Sequence, residues 1–179
     1  TDERDPDMGV SNVLEVLNHK ENRLVALMAL PAMDRVSHAF AGEHLVMVVG
    51  QDDEKVYTLT IDLSNIEEPK PLELLEQPGT LSDARLYEQT VHVVTYTSHP
   101  PEQEGTPAIA LPNSIETGAA VFTAQSLEDG AWQQVAFLGA GQEIKVYNLS
   151  AYVCYNGVAV EDDQETTDIF VARIKLDDL

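Results

Sequence analysis

The chain has 179 residues, 44% of them apolar, which suits one globular domain and is too rich for a disordered segment. Ten Lys+Arg stand against 31 Asp+Glu, a formal net charge of −21, which argues against nucleic acid and against docking on anionic membrane surfaces, since both need clustered cations. No apolar run approaches the ~18–20 residues of a membrane span, and the single cysteine, Cys154, rules out an intrachain disulfide.

Residues 1–9 are polar, carry five charges and a proline, and read as a flexible lead-in. Short apolar runs separated by turn residues then predict strands at 12–17, 23–30, 36–40, 44–49, 56–63, 71–75, 84–86, 90–97, 119–127, 132–138, 145–149, 152–155 and 168–176. The stretch 56–63 alternates: Thr58, Thr60 and Asp62 share one face, and Tyr57, Leu59, Ile61 and Leu63 the other. The segment 12–30 is the most tolerant of a helix. Tight turns are expected at 41–43, 88–89, 128–130 and Asn156-Gly157. The longest gap, 98–117, holds four prolines and predicts an exposed insertion loop. Its candidate binding residues are His99, Pro100, Glu102, Glu104, Pro107 and Pro112.

Internal repetition organises these runs. Residues 39–49 align with 85–95 at an offset of 46, each a run, a turn and a second apolar run. Two further strands follow each copy, and a third copy begins at Val146-Tyr147 and ends before its fourth strand. Four strands per ~45 residues is the pattern of a β-propeller blade. The reading is an all-β chain of about three antiparallel blades at 35–77, 80–139 and 144–176. The first two runs, 12–17 and 23–30, look like the last strands of a preceding blade. Three blades do not close a ring, so other chains or copies are expected to complete it.

A family resemblance rests on specific stretches. Residues 79–95, with Gly79 and small residues ahead of Arg85-Leu86, a turn and Val91-His92-Val93-Val94-Thr95, resemble a blade opening in bacterial and archaeal secreted proteins with a C-terminal β-propeller distantly related to WD40 repeats. Residues 56–65 with Pro69, the pair Leu111-Pro112, and Phe137-Leu138-Gly139 followed by Val146-Tyr147 are similar to further motifs of that family, over about 35–179. His92 stands where the family has an aromatic residue, family domains are much longer, and the segment that usually opens the propeller is not in this stretch. The resemblance implies a secreted, periplasmic or cell-surface protein and offers no catalytic residues.

Candidate chemistry is sparse. His38 and His44 flank a predicted turn and read either as a metal pair or as ordinary packing residues. Asp162, Asp163 and Asp168 belong to an acidic turn that reads as solvated surface or as a weak calcium site, without the alternating spacing of a calcium loop; no other cofactor is expected. Gln51-Asp52-Asp53-Glu54 has the same two readings. Gly139-Ala140-Gly141 suits a crossing between blades better than a phosphate loop, Cys154 reads as a buried inert thiol, and Arg85 as an ion-pair or hydrogen-bond partner between blades. No nucleophile elbow is present. The expected function is a non-catalytic extracellular binding or scaffold module. The alternatives are a propeller enzyme subunit needing residues from another segment, and a structural subunit of an extracellular assembly. The excess of acid also fits a protein of high-salt surroundings.

Overall fold

The computed structural model describes residues 12–30, 33–99, 106–161 and 164–176. The expected lead-in, 1–9, lies outside them. The described residues form fourteen strands in four sheets, with no helix beyond a single 3-10 residue at Leu176. β1 (Val13–Asn18) and β2 (Arg23–Ala29) make a two-stranded sheet. β3 (Arg35–Ala41), β4 (Leu45–Gln51), β5 (Lys55–Asp62) and β6 (Lys70–Pro78) make an antiparallel meander in chain order. The third sheet has the order β7 (Thr80–Tyr87), β8 (Thr90–Thr97), β10 (Ala119–Ser126), β11 (Trp132–Leu138), β9 (Ala108–Ala110). β12 (Ile144–Tyr147), β13 (Ser150–Glu161) and β14 (Gln164–Lys175) make the fourth, and no sheet closes on itself.

The sheets pack face to face in chain order, and alternation along each strand decides which side chain enters which core. Leu30 and Met33, with half-buried Leu14 and Met28, meet Val48, Tyr57, Leu59 and Ile61 between the first two sheets. Met47, Val49 and Val56 turn the other way, onto Ala84, Val91, Val93 and Leu127 of the third. Val94, Phe122 and Phe137 then meet Val146, Val153, Tyr155 and Ile174 of the fourth. β4, β8 and β10 are covered on both faces, which is why they read as near-continuous apolar runs. Each large side chain so buried contributes about 1.5–3 kcal/mol.

Glycines allow the crossings between sheets. Gly79, between β6 and β7, has φ +92°, and a Cβ there would collide with the Tyr96 carbonyl. Gly139, after β11, has φ +82°, and Ser114 Oγ donates to its carbonyl at 2.6 Å.

The stretch 23–30, although the most tolerant of a helix, is strand β2 as its apolar run predicts, held in register from Val13↔Ala29 to Asn18↔Arg23. Two sequence expectations need correction. Asn156-Gly157 is not a turn: both lie inside β13, opposite Ile169 and Asp168. Gly157 is needed there because the 113–115 segment crosses above it, with Val158 N donating to Asn113 O at 2.9 Å and Ile115 N to Asn156 O at 3.0 Å. The insertion at 98–117 is not all loop. Its run 108–110 adds as a parallel strand to the free edge of β11, and Leu111 is 8% exposed in the core.

Candidate functional site

Acidic turns were one candidate. Asp162 and Asp163 lie outside the described residues. Asp168 sits in β14 opposite Gly157 rather than in a turn, and accepts a hydrogen bond from Thr166 Oγ1 at 3.2 Å. Among the described residues no group of three or more His, Cys, Asp or Glu side chains is placed to hold a metal. In the equivalent turn between β4 and β5, Asp52 is committed to its own backbone. Its Oδ1 accepts from the amides of Glu54 (2.8 Å) and Lys55 (2.7 Å), and its Oδ2 from the Tyr57 hydroxyl (2.6 Å). The Tyr57 hydrogen bond, helped by the two amides, holds the Asp52 carboxyl below its usual range. The same bond, with burial, pushes the Tyr57 phenol up to about 12.

The histidines do not converge. His38 lies within β3 and stacks on Phe40 at 5.8 Å, while His44 sits in the β3–β4 turn beside Glu43. His92, 7% exposed, lies on the face of β8 that carries Val94 toward the fourth sheet. Arg85 does not bridge two sheets: its Nε pairs with Asp83 Oδ2 at 2.8 Å, two residues back on β7. Cys154 is half-buried rather than buried, because it points to the outward side of β13.

Of the binding-loop candidates, Pro100, Glu102 and Glu104 lie outside the described residues. His99 is fastened to Thr97, whose Oγ1 donates to its carbonyl at 2.9 Å. The Pro107 carbonyl accepts from Ala136 N at 2.9 Å, and exposed Pro112 begins the turn after Leu111. These bonds tie His99 to β8 and Pro107 to β11.

Two features escaped the sequence reading. A cleft of 520 Å³ opens where the β7–β8 and β12–β13 turns meet, lined by Tyr87, Asn148, Leu149, Ser150, Arg173 and Lys175. Arg173 Nε donates to Ser150 Oγ at 3.0 Å. Between the second and third sheets lies a buried polar layer that includes Thr58, Thr60, Gln77, Thr95 and Gln125, where Gln125 Nε2 donates to Thr60 Oγ1 at 2.9 Å. Apart from these two, the sequence reading predicts apolar sheet faces without a neighbour in an unclosed ring, and both end sheets show apolar side chains outward: Val13, Leu17, Leu24 and Leu27 on the first, Tyr147, Val160, Ile169 and Val171 on the last. Strand alternation signals these faces, but only the pairing shows that nothing among the described residues covers them.

Comparisons with family models, with curated proteins and with solved structures return no match to this chain.

Proposed function

We propose that this chain is a propeller-type, non-catalytic binding or scaffold module, exported or displayed at the cell surface, whose end sheets are covered by other protein chains or by copies of itself. The exposed end faces carry this reading. Leu17 is 66% and Ile169 78% exposed, each among further apolar side chains on a regular sheet, and patches of this kind mark interaction surfaces. Two observations support the propeller architecture. Successive sheets, antiparallel apart from the short β9, stack through three apolar cores in chain order, and the hairpins β3–β4 and β7–β8 repeat at the offset of 46 residues.

Cell fractionation followed by native electrophoresis tests the reading. The chain is expected in the secreted or surface fraction, within a species larger than 19.7 kDa. Recovery only from the cytoplasm as a free monomer would overturn it. A crystal structure tests the architecture, with β3, β7 and β12 expected to line a common axis.

A further inference from the structure

We propose that the two end faces fit each other: the outward face of the β12–β14 sheet of one copy docks, head to tail, on the outward face of the β1–β2 sheet of a second copy. This rests on the binding-module reading above and names the partner. Each internal junction already has this form. β1–β2 turns Leu14 and Met28 onto the second sheet, and β12–β14 turns Val146, Val153 and Ile174 onto the third. Alternation sends Val13, Glu15, Leu17 and Leu27 outward at one end and Tyr152, Val160, Ile169 and Val171 outward at the other. A junction between copies continues the same stacking.

Charge selects the pairing. The outward face of the last sheet carries Lys145 and Arg173 in one cross-strand row with Tyr152, and Lys175 beside them; its one carboxylate by the same register, Glu165, lies opposite Val160 at the far end of the hairpin. These are three of only ten cations in the chain. The outward face of β1–β2 carries the carboxylate of Glu15 among its apolar residues. Arg23, at the start of β2, pairs with Glu21 of its own hairpin turn and lies 3.7 Å from Glu67 in the β5–β6 turn. Like-with-like pairing would set the cationic row against itself at one end and Glu15 against Glu15 at the other. Only the unlike pairing sets Glu15 against Lys145 and Arg173. Such a heterologous contact either closes a ring or runs on as a filament. Two copies bring eight sheets, which falls within the ~4–8 blades that close a propeller, so a ring of two is expected.

Sedimentation velocity of the purified chain, over a dilution series in molar NaCl to screen the −21 charge, tests the proposal. The wild type is expected at twice 19.7 kDa. Leu27→Asp and Ile169→Asp each spoil one face at an exposed position, and each alone is expected to be a folded monomer. Mixed together they retain one intact face apiece, so the mixture regains a two-chain species. A wild type that stays monomeric throughout, or a mixture that stays monomeric, overturns the proposal. So does one variant that associates as well as wild type, which signals like-with-like pairing. If either substitution disturbs folding, Lys145→Glu and Glu15→Lys replace them: each alone weakens association several-fold at moderate salt, and the two combined in one chain restore it. No restoration overturns the proposal. A monomeric purified chain that is nevertheless found in a surface complex with a different protein defeats this inference and leaves the binding-module reading standing.

Discussion

Asp52 explains why an acidic turn in this chain need not be a metal loop. Its three hydrogen bonds cap the β4–β5 turn and pin Tyr57, and the same side-chain-to-backbone device recurs at Asn18, Asp62, Asn65 and Asp129. Acids and amides placed between apolar runs are therefore spent on closing turns. The Asp52–Tyr57 bond has a pH signature. Tyr57 is raised to about 12, so the stability it adds is complete below the ordinary phenol value near ~10 and is lost as pH climbs through 12. Asp52 is lowered, so its contribution is complete above ~3.9 and is lost as pH falls through its depressed folded value. Asp52→Asn removes the carboxylate charge. Phenolate absorbance should then show one tyrosine moving down from about 12 toward ~10, and an unchanged titration would break the assignment. Gly79 offers a second check at this scale. Its φ of +92° and the Tyr96 carbonyl leave no room for a methyl group, so Gly79→Ala should cost more than ~1 kcal/mol in denaturant melts. Gly130, also at positive φ but with open space around it, should lose less on the same substitution.

The strands were legible in the sequence because most of them alternate or run between unmistakable turn residues. The pair β3–β4 and its counterpart β7–β8 could be aligned for that reason. What stayed hidden depended on partners distant in sequence. Asn156-Gly157 has the composition of a hairpin turn, yet the close passage of the 113–115 segment fixes it as extended strand. The run Ala108-Ile109-Ala110 is too short to announce a strand, and it becomes one because β11 has a free edge. Sheet faces without a neighbour were legible from the unclosed repeat, whereas the side chains they carry needed the strand pairing. The buried polar layer looked like ordinary threonine in strands, since only burial of Thr58, Gln77, Thr95 and Gln125 between two sheets separates it from a solvated face. The β9 segment gives a prediction at this scale. Leu111 lies in the core shared by the third and fourth sheets, so Leu111→Ala should destabilise by ~2–5 kcal/mol. Ile109, 50% exposed on the strand itself, should lose much less when changed to Ala. Equal losses at both positions would mean that the strand pairing, not the core contact, holds this segment.

For the molecule as a whole, a charge of −21 sets self-repulsion against a small set of local ion pairs. Among the described residues these include Lys55–Glu76, Arg85–Asp83 and Arg23 with Glu21 and Glu67, all with at least one half-exposed member. Exposed pairs of this type contribute ~0–1 kcal/mol each, and salt takes away only part of that. Repulsion among the excess carboxylates acts over a longer range, which shrinks from ~10 Å at 0.1 M to ~3 Å at 1 M. Screening the repulsion should therefore outweigh loss of the pairs, and the melting temperature should climb as NaCl is raised across that range. A charge-reduced variant separates screening from a general salt effect on apolar burial. Glu68, Glu143 and Glu165 are exposed and can be changed together to Gln without entering a core. The variant should melt higher than wild type in low salt and gain less from added NaCl. Parallel curves for the two proteins would show that salt acts through solvent exclusion rather than through the charge.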